Sequence, residues 1–67
     1  MPEGFIDLTP QQQSSFVRSF LIHLADIEDV SDWEPVKVEP VDDVKVKVIF
    51  NSGKSLHYKD GEWNRCV

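Results

Sequence analysis

Few residues in this chain have the chemistry for catalysis or metal binding. The candidates are His23, His57, Cys66 and the adjacent carboxylates Glu28-Asp29 and Asp42-Asp43. Two histidines hold a metal from one helix face when they stand four residues apart, and His23 and His57 lack that spacing. A structural zinc site takes four ligands, so His23, His57 and Cys66 do not complete one. Cys66 would need a base and a sheltered cleft to act as a nucleophile, and it is the penultimate residue. Adjacency in the chain does not make an acid/base pair out of two carboxylates. The three glycines form no phosphate loop. The chain is therefore expected to be no enzyme and to carry no metal and no cofactor.

Binding chemistry is better represented. Residues 26–43 hold Asp26, Glu28, Asp29, Asp32, Glu34, Glu39, Asp42 and Asp43 against Lys37 alone, a net charge of −7, with Trp33 in their midst. Residues 44–67 are net +3 and residues 1–25 net −1, which leaves −5 overall. A bipolar molecule can bind opposite partners on different surfaces. Aromatic anchors carry interface energy, and surrounding acids steer a basic partner. Trp33 is open to two readings: a lid on the small core, or an exposed anchor. The stretch Val36-Lys37-Val38-Glu39 also resembles the acceptor pattern for small ubiquitin-like modifiers, a short pattern common by chance.

The elements that position these residues are legible. Thr9, Pro10 and Gln12 form an N-cap, a first-turn proline and a capping-box partner. Phe16, Val17, Phe20, Leu21, Leu24 and Ile27 follow at helical spacing, which predicts a helix over about 10–26 with that stripe facing the core. Ser15, Arg18, Ser19 and Ile22 fall off the stripe. Ser31, four acids and Pro35 make 28–35 a loop. Val36 and Val38 alternate with Lys37 and Glu39 between two prolines, which allows a short edge strand.

From Val44 the alternation is strict: Val44, Val46, Val48 and Phe50 on one face, Lys45, Lys47 and Ile49 on the other. Asn51-Ser52-Gly53 supplies a turn with Gly53 at positive φ, and Asp60-Gly61 a two-residue turn. These registers pair Val48 with Leu56, Val46 with Tyr58, Tyr58 with Trp63 and Lys59 with Glu62. Both hairpins then bury the same face. The predicted fold is α+β: one N-terminal helix on a three-stranded antiparallel meander, 44–67, with room for a fourth, short edge strand. The opposite face presents Lys45, Lys47, Ile49, Ser55, His57, Lys59, Glu62, Asn64 and Cys66.

Sixty-seven residues make one domain with a small core, stable by only a few kcal/mol. One cysteine excludes an internal disulfide. No signal peptide and no membrane span are legible, so a soluble, cytoplasmic protein is expected. The favoured function is a small protein-binding module, an inhibitor or accessory factor of the sort found in short phage or bacterial genes. Its acidic segment and Trp33 would dock on a basic protein surface, with carboxylates standing at phosphate positions in a DNA-mimic version. The alternatives are an anion-binding face of Lys45, Lys47, His57 and Lys59, for nucleic acid or an acidic peptide, and a structural subunit pairing with itself or a larger assembly. Base-stacking aromatics are missing from that basic face, which disfavours nucleic acid.

Overall fold

The helix starts where Thr9 and Pro10 place it. In the computed structural model, which describes residues 2–65, α1 runs Pro10–Ala25. The Thr9 hydroxyl accepts the Gln12 N–H at 3.1 Å, and the Gln12 side-chain oxygen accepts the Thr9 N–H at 2.9 Å. Two helix-start donors are thereby satisfied. The helix ends at Asp26, whose N–H reaches the His23 carbonyl at 3.0 Å. One 3-10 turn, Val30–Asp32, interrupts the acidic connector, and Asp29 caps it by accepting the Ser31 N–H at 3.0 Å.

Four strands follow: β1 Pro35–Pro40, β2 Lys45–Phe50, β3 Ser55–Lys59 and β4 Glu62–Arg65. They form one antiparallel sheet in the order β1-β2-β3-β4. The edge strand that the sequence allowed is present as β1. The fold is α+β, and all four expected cross-strand pairs form. Gly53 has a φ of 88°. Asp60 and Gly61 have φ of 43° and 101°, the double positive that a two-residue hairpin turn demands and that a glycine supplies without strain.

Residues 2–8, to which the sequence assigned no element, close the outer edge of β1. Glu3 donates its N–H to the Val36 carbonyl at 3.0 Å and accepts the Val38 N–H at 2.8 Å. The approach is so close that a Cβ on Gly4, at φ 89°, would lie 2.5 Å from the Val38 carbonyl oxygen. The same segment brings Leu8 into the core and packs Phe5 against it. The remaining core is Phe16, Val38, Val46, Val48, Phe50, Leu56 and Tyr58.

The helix departs from its expected facing. The stripe was expected on the sheet, yet Val17 is 45% exposed and Leu21 62%. Of the stripe, Phe16 is buried and Phe20 packs against the core, but the rest of the buried side is Gln12, Ser15, Ser19 and His23. At about 100° per residue, α1 is turned by roughly a quarter-turn from its apolar stripe. The reason is hydrogen bonding. The Ser15 hydroxyl accepts the Asp60 N–H at 2.7 Å, and the Ser19 hydroxyl accepts the Gly61 N–H at 2.8 Å. Those turn amides point into the helix–sheet interface, where an unpaired donor costs about 1–3 kcal/mol each. Small hydroxyl side chains also let α1 come close to the turn. Val44, expected at the core, is half-buried just before β2.

His23 completes that buried side, where the sequence placed it on a helix flank. It is 2% exposed and shares a 2.8 Å hydrogen bond with the Tyr58 hydroxyl through Nδ1. The rings of Trp33 and Trp63 stand 4.8 and 5.1 Å from its own. Burial lowers its pKa from the ordinary 6.5, and Asp26 opposes that only in part. The fold thus holds neutral imidazole, while the unfolded chain takes up a proton near pH 6.5. Stability is full above that pH and falls as pH drops toward the lowered folded value. Urea melts from about pH 7.5 down to pH 5 should show this slope, and His23→Gln should flatten it. An unchanged slope in that variant would assign it to another group.

Candidate functional site: an apolar groove with an acidic rim

The quarter-turn of α1 leaves apolar surface without a protein partner in residues 2–65. Phe20 and Leu24 form one wall of an open groove of about 910 Å³, with Phe16 beneath them. Val30 and Trp33 of the connector form the far end. Pro35 and Val36 of β1 and Pro2 of the N-terminal segment form the other wall. Val36 reaches it because β1 bulges there: Pro35 opposes Phe50, Lys37 opposes Ile49, and the residue between them has no counterpart. An unopposed bulge residue bends the strand and re-aims its side chain. Val36 is accordingly 44% exposed. Val17 and Leu21 extend the apolar surface one step round the helix.

Trp33 answers to both readings at once. It is half-buried and packs on the core, its ring edge-to-face with Phe50 at 5.1 Å and with His23 at 4.8 Å. It also lines the groove. Lys54 Nζ stands 4.9 Å from its ring centroid, beside a second depression shared with Leu56 and Arg65. Trp33→Ala should therefore cost about 2 kcal/mol, below the 3–5 expected for a fully buried ring. It should also let water reach His23 and raise its pKa toward 6.5, which a histidine NMR titration would read. A loss under about 0.5 kcal/mol would show that Trp33 contributes nothing to the core.

The acidic run is split among three places. Asp26 caps the end of α1, and Glu28, Asp29, Asp32 and Glu34 are exposed along the connector that ends the groove. Glu34 lines the groove itself, and none of its lining residues is lysine or arginine. Asp29 is held below the usual carboxylate range by the Ser31 N–H. Glu39, Asp42 and Asp43 lie apart. Asp42 and Asp43 sit in the β1–β2 turn, where the Asp42 carboxylate accepts the N–H groups of Lys45 and Val44 at 2.6 and 2.9 Å. Those bonds lower its pKa. The Asp42 carbonyl accepts the side-chain amide of Gln12 at 2.7 Å, in the first turn of α1, whereas Asp26 follows its last. A helix of 16 residues spans about 24 Å, so the two acid groups stand far apart. Glu39 belongs to the open sheet face, opposite Lys47.

That sheet face is arranged as its alternation predicts. Lys45 stands opposite Lys59, and Lys47 lies between Glu39 and His57. Tyr58 is fully buried and Trp63 packs on the core, so both aromatics lie on the other side. Lys37 is exposed, but its four-residue acceptor-like stretch is part of β1. His23 and His57 fall on opposite sides of the sheet. Among the described residues no group of three His, Cys, Asp or Glu is placed to hold a metal ion. Cys66 lies outside those residues. No described helix is long and apolar enough to cross a membrane.

Phe20, Leu24 and Val36 were not legible as site residues. The available signal was the Ser15-Ser19-His23 series at four-residue spacing, a polar line that competes with the apolar stripe for the sheet. No known protein family, curated protein or solved structure matches this chain.

Proposed function

We propose that this protein is a non-enzymatic protein-binding module that docks a basic, partly apolar surface of its partner in the groove between α1 and β1. The observation that supports this reading is the groove itself: apolar side chains from four segments, left open by a helix that turns part of its stripe to solvent, with acids along one end. Exposed, contiguous apolar surface rimmed by charge is the usual mark of an interaction site. The acids raise the association rate of a basic partner, and the apolar lining slows its release. Of the acidic segment, Asp26, Glu28, Asp29, Asp32, Trp33 and Glu34 belong to this surface. The role of inhibitor or accessory factor, and a cytoplasmic place of action, are part of the same proposal.

The test is quantitative affinity capture with the wild type and with Leu21→Ser/Val36→Ser. Both substituted residues are exposed, so the fold should survive. Proteins retained by the wild type should drop at least tenfold with the variant, equivalent to about 1.4 kcal/mol. An unchanged captured set would refute the reading.

One observation favours a second surface. Lys45 and Lys59 oppose each other directly, and like charges so placed are destabilising. The nearby Asp42 carboxylate, which feels both, offsets part of this, and an anion on the face would offset more. Lys45→Gln/Lys47→Gln/Lys59→Gln should leave groove-dependent capture intact and remove any acidic peptide or nucleic acid bound on the sheet face.

A further inference from the structure

We infer that the groove takes a cationic amphipathic α-helix rather than an extended segment or a second copy of this chain. This rests on the groove being the docking surface and adds the form of what docks there.

The main chain around the groove has little left to offer a strand. Glu3 already uses the Val36 carbonyl and the Val38 N–H. Pro35 and Pro40 have no N–H. Further along, the Trp33 N–H is bonded to the Val30 carbonyl at 3.0 Å and the Glu34 N–H to the Asn51 side chain at 3.3 Å. The Glu34 carbonyl accepts the Asn51 N–H at 2.9 Å, and the Ser31 carbonyl accepts the Asn51 side-chain amide at 2.7 Å. An extended peptide laid here would bury its own N–H and C=O groups against apolar walls without partners. A helix satisfies those groups internally and presents apolar anchors at i, i+3 or i+4, and i+7, a span of about 10 Å.

The sign follows from the rim. Glu34 lines the groove, Asp29 and Asp32 are exposed in the same connector, and among the described lining residues there is no lysine or arginine. Lys54, against the Trp33 ring, is one cation beside three acids. The polar flank of the incoming helix therefore carries lysine or arginine. A second copy in a two-fold contact would bring the same acids to the groove, and α1 itself offers only Arg18 as a full cation, which is already paired with Asp60 at 3.2 Å. The sheet-face lysines of a second copy, Lys45, Lys47 and Lys59, lie on strands rather than on a helix.

The test titrates four capped peptides of 14 residues into the full chain, read by NMR shifts and by the Trp33 indole signal. One has leucines at i, i+3, i+4 and i+7 with lysines elsewhere. The others are the same composition scrambled, the same sequence with a central proline, and the same sequence with glutamate for lysine. The helical lysine peptide should bind, with shifts at Phe20, Leu24 and Val36. Each other peptide should bind at least tenfold more weakly, and so should the helical peptide to Leu24→Ser/Val36→Ser. Should the double variant fail to fold, Val36→Ser alone serves, because that residue is half exposed. If the proline or scrambled peptide binds within twofold of the helical one, the helix inference falls and the groove stands. If the helical peptide binds the variants undiminished, both fall. Failure of all four peptides to bind at 1 mM overturns the helix inference. So does concentration-dependent dimerisation that Val36→Ser abolishes, which would put a second copy in the groove.

Discussion

Ser19→Leu should destabilise the protein by about 3 kcal/mol or more, whereas Leu21→Ser should change stability by less than about 0.5 kcal/mol. The two changes run against the ordinary rule for a core-facing helix. Ser19 is fully buried, and its hydroxyl accepts the Gly61 N–H at 2.8 Å. A leucine there must fit where α1 already touches the Asp60-Gly61 turn. Overpacking of this kind costs about 1–3 kcal/mol, and the turn donor left without an acceptor costs a similar amount again. Leu21 is 62% exposed and lies on the solvent side of the same helix. Urea denaturation of the two variants beside the wild type is the measurement. If Leu21→Ser proves the more damaging, the facing of α1 is wrong, and the groove with it.

Val46→Asp should leave no cooperatively folded protein at 25 °C. Val46 is fully buried in β2, opposite Tyr58 on one side and Pro40 on the other. An unpaired carboxylate there costs several kcal/mol whether it ionises or stays protonated. A domain of this size has only about that much to lose. The control is one residue away. Lys47 points to the opposite face, so Lys47→Asp should cost no more than about 1 kcal/mol. Far-UV circular dichroism and the dispersion of amide NMR signals would report both. A folded Val46→Asp, or an unfolded Lys47→Asp, would mean that β2 is off by one residue.

How far each part was legible depends on how many partners each residue needs. The strands read well because alternation has a period of two and one slip inverts every side chain. Val46, Val48 and Phe50 then have a single consistent facing, and the turns at Gly53 and at Asp60-Gly61 set the pairing. The capping box was legible because Thr9 and Gln12 meet within one helical turn. The edge strand was harder, since Pro35 and Pro40 weaken its local signal. Its support comes from Glu3, whose bonds to Val36 and Val38 span more than thirty residues of sequence. Nothing local to Glu3 or Gly4 announces that contact.

The amino-acid sequence by itself determined the α+β class, the helix, the hairpin registers and a sheet face rich in lysine opposite an apolar one. All of these rest on interactions between near neighbours, or on alternation that only one register satisfies. It also determined the imbalance of charge, since that is a count. Tertiary structure alone decided which side of α1 meets the sheet. The apolar stripe was the stronger local signal, but the two amides of the Asp60-Gly61 turn needed acceptors, and Ser15 and Ser19 supply them from a helix distant in sequence. Turning α1 to make those bonds buried His23, left Phe20 and Leu24 facing a bulged β1 across the groove, and turned Val17 and Leu21 to solvent. The groove is the remainder of that turn, because a helix has one axis and can present only one of two competing faces to the sheet.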